Sequence, residues 1–359
     1  MTVPDSGVSA DAGFGTSGDS GVPEDASGGS FDGGLSGGDA QPTGPLGNWQ
    51  YDDCFPGRTN LNDLSPNWNT AFRSVNVGCS PGIRGLAVSL SNPVEDIVTV
   101  PDQPDFRFDS GVTVAGWFNP NSVTQTSSLL RKRDDSTSSF ALLLHQGHYM
   151  FVVNLGRGRA ASVTASARAV AGQWTHVAGT YDGAMLRLYI DGVEVANTRA
   201  RGSVQNLSGP VVMGNDGSHR LFPGLMDNGF LDRRALSLSE VQDLNCIRVD
   251  PTVVATPAVS APTLPGVPAF YDVTITNNDS AFCPATDWVY YAYGFVPGLE
   301  TQPSYLILPQ IPPGGTAQLR VAATADATVD PGTYDITFWA VRDYEVGVAT
   351  VNLVVAAGR

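Results

Sequence analysis

The chain has 359 residues, 40 of them Gly and 25 Pro, with 15% charged residues and a formal net charge of −15. That sign argues against a polyanionic nucleic acid as partner and is compatible with divalent cations. The length allows two or three domains, the Gly and Pro content points to an all-β, loop-rich architecture, and no apolar run is long enough to span a membrane.

Residues 1–47 contain seven acidic residues and no Lys or Arg, in a run of Gly, Ser, Asp and Ala. So few apolar groups cannot offset the entropy of ordering, and a disordered tail or linker is expected. Met1 opens no signal peptide, because the basic and apolar regions are missing. Four cysteines nonetheless point to an oxidising compartment, so the expectation is an extracellular or cell-surface protein whose export signal lies upstream.

Order is expected from Asn48, in a first domain at 48–249. Strand-like runs come at short intervals: 97–100, 112–118, 127–132, 139–144, 149–154, 174–181, 186–190, 193–197, 210–214 and 221–231. This even spacing is what a two-sheet sandwich gives. The densest stretch is 173–196, QWTHVAGTYDGAMLRLYIDGVEVA, where Asp182-Gly183 and Asp191-Gly192 separate three runs. Asp-Gly between β-prone runs signals a hairpin, because both residues tolerate positive φ. Leu186, Leu188 and Ile190 fall on one face of the middle run, so this meander buries one side. A short helix is expected at 238–245, since Ser237 and Glu240 have the spacing of a capping box. From Asp250 the composition turns Pro-rich, reading as linker plus edge strand. Strands are then expected at 271–277, 288–293, 316–322, 332–340 and 349–355, a second domain at 250–359.

The wording of three stretches carries a resemblance. W-x-H-V-A-x-T-Y-D-G with L-x-L-Y-I-D-G at 174–192, VTVAGWFNP at 112–120 and FPGLMDNGFLDRRALSLS at 222–239 resemble, in order, signature strands of the laminin-G-like, concanavalin A-like jelly-roll family. The resemblance implies a jelly-roll sandwich. It also implies that NWQYDDCFPGRTNLND at 48–63 is the opening strand, with Trp49 and Tyr51 facing the core and Asp52, Asp53 and Asp63 near the sheet rim. Y-D-V-T-I-T-N-N-D, P-P-G-G-T-A-Q-L-R and P-G-T-Y-D-I-T-F resemble an immunoglobulin-like bacterial module, implying a C-terminal immunoglobulin-like β-sandwich. The jelly-roll family hosts lectins, sialidase accessory domains, β-glucanases and spacers, so the fold alone names no activity.

The chemical candidates follow. The family's glucanases carry E-x-D-x-x-E on one strand, alternate carboxylates serving as nucleophile and acid/base. No such run exists here, and 140–144 and 149–155 hold no acidic residue; a non-enzyme is expected. Related jelly-rolls bind one calcium at the rim. That implies Asp227 as one ligand, with Asp52, Asp53 and Asp63 supplying further oxygens. Asn228 departs from the family's Glu and removes a charge. His145, His148 and His176 lack partners in register for zinc. Cys54, Cys79, Cys246 and Cys283 allow three pairings; Cys54–Cys79 and Cys246–Cys283 are favoured. Arg131, Lys132 and Arg133 form a basic cluster, with Arg157, Arg159, Arg199 and Arg201 on nearby loops. Arg131, Arg133, Arg157 and Arg159 are candidates to bind an acidic glycan. Trp117 and Trp174 are assigned to the core, leaving Trp68 as the stacking candidate. The expected function is non-catalytic recognition of a glycan or surface protein. The alternatives are an architectural stalk and, third, a glycosidase.

Overall fold

The computed structural model describes residues 44–91, 96–109, 111–133, 137–214 and 221–358. The expected disordered tail lies outside the described residues over 1–43. The first strand begins at Gly47.

Nearly all the described structure is β, with one helix, and four antiparallel sheets organise it. Two eight-stranded sheets face each other across the first core. The first runs Val193–Arg199, Met185–Ile190, Thr175–Tyr181, Val112–Pro120, Gly224–Asp232, Leu86–Leu90, Gly78–Pro81, and Gly47–Trp49 also pairs with Gly224–Asp232. The second runs Ala160–Thr164, His148–Asn154, Ser138–His145, Ser127–Arg133, Val211–Met213, Val98–Val100, Ala71–Arg73, Asn60–Leu61. Side chains alternate across each strand, so Phe140, Leu142 and Leu144 of one strand and Tyr149, Phe151 and Val153 of its neighbour enter the same core. Phe151 packs onto the bare backbone of Gly179 in the opposing sheet. A Cβ there would sit 2.4 Å from the Phe151 ring. Trp49 and Tyr51 are buried as expected.

The meander forms, with a bulge between Leu188 and Tyr189, and Asp191 and Gly192 both adopt positive φ (48° and 75°), the twist-matched hairpin turn. Asp182 works differently: its carboxylate accepts from the Ala184 and Met185 amides at 2.9 and 2.7 Å, closing its turn from the side chain. The helix is Leu238–Leu244, with the Ser237–Glu240 capping box complete. Its Val241 joins Ala115, Ala178, Tyr189, Phe230 and Leu236 on the outer face of the first sheet. This explains why Val112–Pro120 and Thr175–Tyr181 are buried on both faces. Trp117 is buried beside His176 but belongs to neither core cluster of this domain, and Trp174 is only half-buried. It sits one residue before its strand begins, where period-2 burial no longer applies.

Beyond the helix, two four-stranded sheets enclose a second core that includes Tyr271, Ile275, Trp288, Tyr290, Phe338 and Leu353. One contains Thr252–Thr256, Ala269–Thr276, Thr316–Ala325 and Leu299–Gln302; the other Tyr305–Ile311, Thr286–Gly294, Gly332–Arg342 and Glu345–Val355. The strands Leu299–Gln302 and Tyr305–Ile311 are additional to those expected, and the second contains Pro309. It is an edge strand, where a missing N–H is tolerated. Both favoured disulfides form, Cys54–Cys79 within the first sandwich and Cys246–Cys283 between its exit and the second. Inside the second sandwich the Arg342 guanidinium lies 4.0 Å from the Trp288 ring and donates to Asp279 at 2.6 and 2.9 Å.

Candidate functional site

Two places combine chemistry with access. The first is a rim built by the long-range pairing of Gly224–Asp232 with Leu86–Leu90. Strand Gly224–Asp232 breaks register between Asp227 and Phe230, and Asn228 takes φ 50° in that bulge. Asn enters the left-handed region more readily than Glu, so the departure from the family's Glu coincides with a backbone that suits Asn. The bulge aims Asp227, 1% exposed, at the turn 82–85. Its Oδ2 accepts from the Ile83 amide at 2.9 Å and its Oδ1 from the Asn228 amide at 2.8 Å. Asp52 reaches the same turn, accepting from the Leu86 amide at 2.9 Å. The turn closes around both carboxylates because two of its residues lack side chains. A Cβ on Gly82 would lie 2.2 Å from Asp227 Oδ2, and one on Gly85 only 1.9 Å from Asp52 Oδ1.

Burial pushes the Asp227 carboxyl up to about 7; backbone N–H groups of Ile83, Asn228 and Arg84 oppose this, and the Asp52 charge adds to it. No guanidinium neutralises it from Arg234, which pairs with Asp232 and Glu240 instead. Two like charges in one small cradle of oxygen donors suit a hard cation. The donor set is smaller than the four carboxylates expected. Asp63 is buried and spent on its own loop, accepting from Asn48 N, Ser65 N, Ser65 Oγ and Asn69 N at 2.6–2.8 Å. Asp53 pairs with Arg58 at 3.0 Å and accepts from the Asn62 amide at 2.9 Å. Among the described residues no three acidic, His or Cys side chains gather at metal-binding distance. Asp52 and Asn228 open onto a hollow of about 740 Å³ whose other wall includes Arg248, Tyr344 and Glu345, and Arg84 of the turn pairs with Glu345.

The second place is a hollow of about 330 Å³ on the outer face of the second sheet. Its floor is a ladder row in which Arg131 faces Ala141 and Ala141 faces Val152. Small side chains beside a long one leave the space. Leu143 extends the apolar floor, while Thr137, Ser138 and Asn154 bring hydroxyl and amide groups to the edge. Asn154 accepts from the Gly156 amide at 2.9 Å and donates to Thr137 Oγ1 at 3.4 Å, which fixes that side chain beside Arg131.

The basic cluster read from sequence is divided by strand alternation. Arg131 lines the outer hollow. Lys132 points inward, fully buried, with its Nζ paired to Asp102, donating to the Gly209 carbonyl at 2.7 Å and 5.4 Å from the Phe106 ring. Burial pulls its ammonium below the usual lysine range, against the opposing pull of Asp102. Arg133, Arg157 and Arg159 do not line the hollow; Arg157 and Arg159 are exposed on the turn after Asn154. Trp68 is 77% exposed, on the loop joining Asn60–Leu61 to Ala71–Arg73 at the opposite edge of the sheet, away from Arg131. His145 hydrogen-bonds Thr126 and His148 the Ala165 carbonyl. His176 is buried beside Trp117, which lowers its imidazole to about 3. Asn154 and the turn 82–85 were missed as site elements. The first is an ordinary strand residue, and the second acts on an Asp that is 144 positions away.

The family model described as the Concanavalin A-like lectin/glucanases superfamily matches residues 92–242. No curated protein matches the chain. Among solved structures, the chain is similar to domain 4 of AbnA, an extracellular arabinanase from Geobacillus stearothermophilus, in complex with arabinotriose. Identity is 20%, coverage 56% of this chain and 98% of that one, and TM-score 0.42. It is also similar to the binding domain of Paraclostridial Mosquitocidal Protein 1, at 14% identity, 82% and 75% coverage and TM-score 0.48. The receptor binding domain of botulinum neurotoxin C/D mosaic serotype gives 10%, 86% and 92%, and 0.46. With two packed antiparallel sheets and this match, residues 92–242 carry a concanavalin A-like domain, similar to the lectins and glucanases of that superfamily.

Proposed function

We propose that this is a non-catalytic extracellular recognition module that binds an acidic glycan in the hollow on the second sheet. The observation that carries the reading is the composition of that hollow: an apolar floor of Ala141, Leu143 and Val152 with Arg131, Ser138 and Asn154 converging on it. Arg131 can meet a carboxylate or sulfate with two parallel N–H donors, while the floor accepts the CH face of the ring. Two disulfides support residence in an oxidising compartment. The second sandwich, read as an immunoglobulin-like module, would hold the lectin-like domain in place.

The rim completes the proposal. Asp52 and Asp227 would hold a calcium ion, which when bound would supply positive charge beside the buried Asp227 carboxyl. The protein's own residues do the rest: the N–H groups of Ile83 and Leu86 orient the carboxylates, and Gly82 and Gly85 leave room for them.

The test is a glycan array in calcium buffer, followed by titration of the best acidic hit. Arg131→Ala should weaken binding at least tenfold, and rising salt should weaken the wild type. Absence of saturable binding by the folded chain would favour the architectural stalk, and release of reducing sugar would overturn the non-catalytic reading.

A further inference from the structure

The second sandwich carries a band of aromatic side chains on its outer face that its core does not explain. In the sheet Tyr305–Ile311, Thr286–Gly294, Gly332–Arg342, Glu345–Val355, one ladder row reads Tyr305, Tyr291, Trp339 across the first three strands. Tyr293 stands in the adjoining row, and Phe295 follows at the end of its strand. Neighbouring rings touch throughout: Tyr305–Tyr291 at 5.4 Å, Tyr291–Tyr293 at 6.3 Å, Tyr293–Trp339 at 5.8 Å and Trp339–Phe295 at 5.9 Å between centroids. The band is open to solvent; Tyr305, Tyr293 and Phe295 are 52%, 48% and 72% exposed. It borders a hollow of about 420 Å³ lined by Tyr291, Tyr293, Phe295, Trp339 and Val341.

We infer that this band is a second binding site, for a neutral polysaccharide. Five contiguous rings give a run of π faces against which successive sugar rings can lay their CH faces. The lining of the hollow holds no charged side chain, in a chain of net charge −15, so the complementary ligand is uncharged. On the Tyr293 side the same face turns polar, Thr337 opposite Thr350 and then Asp335 opposite Asn352, while Val346 and Val348 continue it as exposed apolar surface on the other side. Thr350 hydrogen-bonds Thr337 at 3.2 Å and Asn352 donates to Asp335 at 2.6 Å, which gives the rings a polar edge beside Tyr293 that can exchange hydrogen bonds with sugar hydroxyls. The site is independent of the acidic-glycan hollow on the first sandwich: different sheet, different residues, opposite demand on ligand charge.

The experiment uses the full chain and three insoluble neutral probes, microcrystalline cellulose, chitin and mannan, in sedimentation assays at low and high salt. Retention on at least one is expected, insensitive to salt, unchanged by Arg131→Ala and reduced tenfold or more by Tyr293→Ala and by Trp339→Ala. Phe295→Ser, at a position 72% exposed, is expected to weaken retention with the fold intact. Thermal unfolding of all three confirms folding. Retention on none of the probes would overturn the inference, as would retention that survives all three substitutions. So would a wild-type dimer in sedimentation velocity that Trp339→Ala dissociates, since the band would then be covered by a second copy.

Discussion

Replacing Asp227 by Asn tests the rim directly, because the structure makes a signed claim about pH. The Asp227 carboxyl is raised from 3.8 to about 7, chiefly by burial. A group whose folded value is raised contributes stability that is fully present below its unfolded value and is lost as pH rises through the folded one. Metal-free wild type should therefore lose roughly 4 kcal/mol between about pH 4 and about pH 8 through this residue alone, at ~1.4 kcal/mol per unit. His176 acts with the opposite sign. Burial depresses it from 6.5 to about 3, so its contribution is present above 6.5 and lost as pH falls. The two slopes largely cancel across the acid range, and the wild-type profile by itself would mislead. The informative quantity is the difference between Asp227→Asn and wild type, from urea unfolding in chelator at both ends of the range. Asn keeps the shape, carries no charge to bury and leaves His176 untouched. The variant should gain roughly 4 kcal/mol on wild type from acid to alkaline buffer. Added calcium should then stabilise wild type and not the variant, eroding that gain. A difference that does not change with pH would refute the account of a buried, uncompensated carboxylate, whatever calcium does.

Two further outcomes follow from packing. Lys132→Met keeps the buried stem and leaves Asp102 to Arg107, 3.8 Å away, so urea unfolding should show a loss under ~1.5 kcal/mol. Lys132→Ala opens a cavity as well and should cost about 3 kcal/mol; equal costs would mean that the charge, not the stem, matters. Replacing both Cys246 and Cys283 by Ser removes a link spanning 37 residues and should lower stability by ~3.5–4 kcal/mol in the chain-entropy model; a loss under ~1 kcal/mol would show that the sandwiches hold their joint without it.

What was legible in the sequence was local. The Asp191-Gly192 turn, the Ser237–Glu240 box and the alternation of Leu186 and Leu188 depend on neighbours within a few residues, and each folds as its residue types require. The edge strands Ala160–Thr164 and Tyr305–Ile311 were not legible, since the first is Ala- and Ser-rich, the second holds Pro309, and pairing with a neighbour settles the conformation. The division of Arg131 from Lys132 was available in principle, because adjacent strand residues face opposite ways; reading the three basic residues as one cluster set that period aside. The rim lies at the other limit. Asp53 and Asp63 are as acidic as Asp52 and stand as near the opening strand, yet one is held by Arg58 and the other by the amides of its own loop. Only Asp52 reaches the turn that also receives Asp227, and that meeting depends on strand Leu86–Leu90 pairing with a partner more than a hundred residues on. Composition can say that a carboxylate is present. Which carboxylate is left uncompensated is decided by the three-dimensional distribution of N–H donors and guanidinium groups, and this is why the Asp227 titration, rather than a count of acidic residues, is the measurement that bears on the site.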